Sequence, residues 1–217
     1  MVRDRKYESA RLSLMLQFLL GLVTASSLLF DVPEEHSSLT AIVLLESISQ
    51  AIEFVYYFVV VFCYNNLKTW TRYIDWVIST PVMLISTIAF FKYRTSRDMD
   101  FSDVFADPAT YVVLAANTLM LCFGFLMERN AIDKTIGLVL GTAFFVASFG
   151  ALFISAYTAK DTMSSTLFAF MFVIWGMYGV AATFSDVNKN ISYNILDIFS
   201  KNFYGLFLFV YIMTLQN

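Results

Sequence analysis

The sequence predicts an all-α membrane protein, a seven-transmembrane-helix up-down bundle, and three observations carry that prediction. Of the 217 residues, 59% are hydrophobic, 18% aromatic and only 14% charged, with a mean hydropathy of +0.68. The apolar residues fall into seven stretches, 11–30, 39–64, 70–91, 110–127, 135–157, 163–184 and 191–214. Each is close to the about 20 residues that span a hydrocarbon core about 30 Å thick. Backbone polar groups in lipid must be bonded within the segment, so the stretches are helices. The links are short (31–38, 65–69, 128–134, 159–162 and 185–190), as antiparallel neighbours require. Nearly the whole chain is used, which predicts a single membrane domain over residues 1–217.

Arg3, Arg5 and Lys6 precede the first stretch as in a cleaved leader, but the apolar run is longer than a leader core. A retained first helix is expected. Its Ser13 and Gln17 form an i, i+4 polar pair that serves either helix packing or function. On the second stretch Glu46, Gln50, Glu53 and Tyr57 recur at i, i+4, i+7 and i+11, one continuous helical face among apolar neighbours. That face is expected to turn to the interior or a water-filled cavity, because exposure to lipid is costly. Glu46 is read as close to an interface and solvated there, and Glu53 as the deeper carboxylate.

The third stretch places Arg72, Asp75 and Ser79 on one face, at i, i+3 and i+7. Pro81 is tolerated in it, since neighbouring helices re-satisfy the freed carbonyl. The link 92–108 is the longest, acidic after three cations, with a turn of structure near 101–105. Cys63 and Cys122 lie in apolar segments without paired spacing and read as buried thiols. His36 is the only histidine and sits in a polar link, which rules out histidine-based metal or triad chemistry. No catalytic domain and no nucleic-acid surface is expected; the net charge of −3 is spread over short links.

The last stretch holds Lys201 near its middle, with Asp197 four residues earlier on the same face. A cation at that depth costs about 3 kcal/mol or more unless it faces the protein interior. A buried lysine is either a nucleophile toward an aldehyde, giving a Schiff base, or a structural ion pair. Asp75 reaches Lys201 from across the bundle, with Arg72 one turn below to offset the surplus negative charge. Two carboxylates around a cationic imine keep it protonated.

These residues resemble the microbial (type I) rhodopsins. The specific part is Arg72, Asp75 and Trp76 with Ser79, Thr80 and Pro81, together with Asp197 and Lys201; the likeness extends over all seven stretches. The resemblance implies all-trans retinal bound to Lys201 as a protonated Schiff base. It implies Asp75 and Asp197 as the counterion pair, with Arg72 beneath them and Tyr57 supporting Asp197. The retinal pocket it implies is Trp76, Thr80, Met120, Trp175 and Tyr178. Gly179 and Ala182 replace a proline and a tryptophan of the pattern, so the pocket is expected to be looser at the ring end. Ser86 stands where archaeal-type proton pumps carry a carboxylic proton donor, and Lys189 stands at the position of an extracellular proton-release group.

Other positions resemble the channelrhodopsins. Glu53 matches their central-gate glutamate and Asn202 their gate asparagine, and Ser13 is the candidate for the gate serine. Glu46, Gln50 and Glu53 then form the row that lines an ion pathway, and Thr80 and Asn117 face each other at positions that set photocycle speed. In compact size the chain most resembles the rhodopsins of large algal viruses. The expected function is a light-gated channel for monovalent cations or protons; a light-driven outward proton pump and a sensory photoreceptor are the alternatives. The resemblance further implies a multi-pass protein of the lipid bilayer, homo-oligomeric, with an extracellular N-terminus. The cations argue otherwise: Arg3, Arg5, Lys6, Arg11, Lys68, Arg129, Lys134 and Lys189 fall on the N-terminal side, against Lys92, Arg94, Arg97 and Lys160 on the other.

Overall fold

A computed structural model describes the backbone of residues 2–63 and 68–216 and the side chains of residues 5–63 and 68–216. Tyr64, Asn65 and the Arg3 side chain, which figure in the expectations above, lie outside the described residues. Among the described residues, seven helices are long and apolar enough to cross a membrane. They are α1 (Val2–Ser26), α2 (Ser38–Phe62), α3 (Arg72–Thr95), α5 (Pro108–Glu128), α6 (Lys134–Thr158), α7 (Thr162–Ala181) and a composite last span. That span joins α8 (Asp186–Asp197), a π-helical turn (Ile198–Asn202) and α9 (Phe203–Leu215). The short α4 (Ser102–Ala106) is the turn expected in the long link.

Helix starts follow local chemistry. Asp107, Asp133 and Asp161 each accept backbone N–H bonds as N-caps of α5, α6 and α7, and Pro108 sits in the first turn of α5. The first and last helices begin earlier than the apolar runs predict. α1 extends back to Val2, where Lys6 pairs with Asp186 and Tyr7 donates to the carbonyl of Val60 at 3.2 Å. α8 starts at Asp186 because Asn190 and Asn194 turn inward and find partners there. α3 runs unbroken through Pro81 and is the most buried span, so the other helices wrap around it.

The outer faces are apolar, with Met15, Leu19, Val55, Ile74, Val139 and Val173 exposed. One expectation needs correction here. Cys63 and Cys122 are exposed, because their positions fall on outward faces of the bundle. His36 is buried although its link is polar, since its Nδ1 lies 2.6 Å from the Tyr93 hydroxyl.

Candidate functional site

Three spans build a buried polar column through the bundle. α2 contributes Glu46, Gln50, Glu53 and Tyr57, which the helical period places on one face and which are all buried. α3 contributes Arg72, Asp75, Ser79 and Thr80, also buried. The last span contributes Asn190, Asn194, Asp197, Lys201 and Asn202. Glu46 is fully buried rather than solvated at an interface, because it lies on the inward side of α2.

At the centre, Lys201 Nζ donates to Asp75 Oδ2 at 2.8 Å and lies 3.6 Å from Glu53 Oε1. Asn202 Nδ2 donates to Glu53 Oε2 at 3.4 Å. Asp197, the other carboxylate expected at the lysine, makes no direct ion pair with it and is held by other groups. One of its oxygens accepts from Arg72 Nη1 at 3.1 Å and Tyr57 at 2.7 Å, and the other from Tyr178 at 2.6 Å. The carboxylate facing Lys201 beside Asp75 is therefore Glu53. A fixed Asp197 and a less constrained Asp75–Glu53 pair result.

Below this layer Arg72 fills the column. Its guanidinium bonds Tyr57 at 2.9 Å, the Asn190 carbonyl at 3.3 Å and the Asn194 side chain. Asn190 and Asn194 were missed in the sequence, although with Asp197 and Lys201 they continue an i, i+4, i+7, i+11 polar stripe. Hydropathy places Asn190 in the 185–190 link, which conceals the stripe. Lys189, beside it, pairs with Glu128 at 2.6 Å.

Ser13 does not join Glu53. Its hydroxyl donates to the Asn194 carbonyl at 3.0 Å and accepts from Gln17 Nε2 at 2.9 Å, because it sits one layer below the gate pair. Thr80 and Asn117 do meet: Asn117 Nδ2 donates to Thr80 Oγ1 at 2.9 Å. Above the centre, Gln50 Nε2 donates to Glu46 Oε1 and to the Lys201 carbonyl, both at 3.3 Å. Ser86 donates to the Tyr204 hydroxyl at 3.4 Å.

Beside the column lies a largely apolar cavity of about 210 Å³ that ends on Lys201. Trp76, Thr80, Met120, Trp175 and Tyr178 all line it. Gly179 and Ala182 line its far part, where a Cβ on Gly179 would meet nothing within 4 Å. The site thus combines a primary amine at the end of an aromatic slot with buried carboxylates on its other side.

Comparison with known proteins agrees with this geometry. No curated protein matches the chain. The viral rhodopsin OLPVRII is 26% identical, with a TM-score of 0.81 over 96% of this chain and 98% of its own. A blue light-absorbing proteorhodopsin from Med12 is 19% identical, with a TM-score of 0.73 over 96% of each chain. Halorhodopsin, a light-driven chloride pump, is 18% identical, with a TM-score of 0.73 over 96% of this chain and 95% of its own. Residues 9–215 match the family described as bacteriorhodopsin-like protein, a match that runs through every span, and the chain belongs to that family of multi-pass membrane proteins, the microbial rhodopsins.

Proposed function

We propose that the protein is a light-gated cation channel, with retinal on Lys201 as its light sensor. The observation that carries this reading is the buried carboxylate row of α2, whose Glu53 touches both Lys201 and Asn202. Retinal fits the residues present: the aromatic slot is largely apolar and ends at the Lys201 amine. When bound, retinal supplies the absorption of light and a change of shape at the lysine.

The remaining work falls to the chain. Asp75 neutralises the charge at Lys201, while Arg72 and Tyr57 hold Asp197 in one orientation. Trp76, Met120, Trp175 and Tyr178 confine the chromophore, and the Asn117–Thr80 bond braces the slot wall. Displacement of the Lys201 nitrogen weakens its 3.6 Å contact with Glu53. The Asn202–Glu53 bond, at 3.4 Å already beyond the usual N–H···O range, is then the closure that opens. Glu53, Gln50 and Glu46 offer successive oxygen atoms to a cation shedding part of its hydration. We place the N-terminus outside.

Whole-cell recording under light tests the reading. A channel current reverses sign near the equilibrium potential of the permeant cation. A current that stays outward at all voltages rejects the channel and supports a light-driven outward proton pump, which the direct Asp75–Lys201 contact favours as the second reading. Lys201→Ala is expected to abolish visible absorption.

A further inference from the structure

Gln50 makes contacts that offering an oxygen atom to a passing cation does not account for. It sits one turn from Glu53 on the buried face of α2, wedged between α1 and α9. Gly21 of α1 lies on one side, its Cβ position 3.6 Å from Gln50 Oε1. Gly205 of α9 lies on the other: a Cβ there would collide with Gln50 Nε2 and stand 2.5 Å from Thr24 Oγ1. Three helices therefore close on a single carboxamide, and the absence of a Cβ at Gly205 is what lets α9 approach it. Gln50 Oε1 is buried and has no hydrogen-bond partner among the described residues.

The carboxamide nitrogen links two functional groups. It donates to the main-chain carbonyl of Lys201 and to the Glu46 carboxylate, both at 3.3 Å. Lys201 lies in a π-helical turn, an interruption of the regular α-helical ladder of the kind often found at functional sites. Movement of the lysine backbone is thus transmitted to a side chain that plugs the column between Glu53 and Glu46.

We propose that Gln50 couples Lys201 to Glu46: it holds the column shut while its amide bonds the Lys201 carbonyl, and withdraws when that backbone moves. Gln50 is a positioning residue, and this role rests on the channel reading above. Gly205 makes the wedge fit, and the long reach of glutamine lets it span from α2 to the last span.

The test uses the full-length protein reconstituted with retinal. In Gln50→Met the shape is kept and the bonds are lost; Gly205→Ala instead pushes the amide aside. Both are expected to retain visible absorption. Loss of the amide's hydrogen bonds shifts the closed–open balance by about tenfold, so dark passive current rises by about that factor and closing after light is slowed. Unchanged dark current and closing kinetics in both variants overturn the proposal.

Infrared difference spectroscopy, light minus dark, separates this idea from the channel reading. A carboxamide C=O band of Gln50, identified with isotope-labelled glutamine and by its absence from Gln50→Met, is expected to shift on illumination whether or not current reverses. No light-induced shift overturns the coupling, even where wild-type currents are those of a channel. A shift with one-way current rejects the channel reading, and the closure at Gln50 with it.

Discussion

Arg72 is the side chain the fold can least do without. It is completely buried, and its guanidinium holds Asp197, Tyr57, Asn190 and Asn194 in one layer. Removing one partner of a buried ion pair strands the other, which costs about 3–5 kcal/mol. Arg72→Ala is therefore expected to lower the thermal bleaching midpoint sharply, and Arg72→Lys to restore little, since an ammonium cannot match the planar fork. A midpoint equal to wild type in Arg72→Ala would remove the layer from the stability argument. Glu53→Gln makes the complementary prediction. It keeps the Asn202 bond available but removes the charge facing Lys201, so the pigment stays coloured while ion selectivity or current size changes. At this scale the sequence was legible wherever a polar residue interrupts an apolar run: Glu53, Asp75 and Lys201 announce themselves by their desolvation cost. Asn194 did not, because a neutral amide near a segment end carries no such signal. Nor could spacing reveal that Asp197 turns toward Arg72 while Glu53 turns toward Lys201, since that choice depends on rotamers fixed by three helices together.

Helix ends hold their own electrostatics. Asp107 is kept below the ordinary carboxylate range by the hydrogen bond from Lys92, 2.8 Å away, with a smaller contribution from its own cap bond. At Asp161 partial burial pushes the pKa up, but bonds from Ser164 and Arg94 outweigh it and leave the group below its usual value. A carboxyl whose folded pKa is depressed stabilises the fold above its unfolded value, about 3.9, and loses that contribution as pH falls through the folded pKa. Acidifying the face that carries α4 from about pH 5 to below about pH 3 is thus expected to lower the thermal midpoint. The Asp107→Asn, Asp161→Asn double variant should start lower at neutral pH and vary less over that window. An equal slope in the variant would place the acid sensitivity elsewhere. Seven spans and the turn at α4 were legible from hydropathy and link composition. The early starts of α1 and α8 were not, because each is stabilised by partners on another helix, Asp186 for Lys6 and Arg72 for Asn190. The π-helical turn leaves no mark in hydrophobic periodicity at all.

The whole molecule is polarised along the membrane normal, and its direction in the bilayer decides what the polarity does. The Arg72 layer lies toward the N-terminal side and Glu46 toward the side of the 92–108 link. The cation count favours an inside N-terminus, yet several of those cations are already paired: Lys6 with Asp186 and Lys189 with Glu128. The other face pairs Lys92 with Asp107 and Arg94 with Asp161. The count therefore separates the two orientations less than the bare sequence suggests. With the N-terminus outside, the Arg72 layer faces the exterior and the 92–108 link is cytoplasmic. Protease added to intact cells is then expected to spare that link and to cut it in inverted vesicles. Cleavage in intact cells would reverse the topology, and with it the pump alternative: a proton taken from Lys201 by Asp75 toward the Arg72 layer would travel inward. A passive channel would keep its reversal potential in either orientation, so only the pump reading depends on this result.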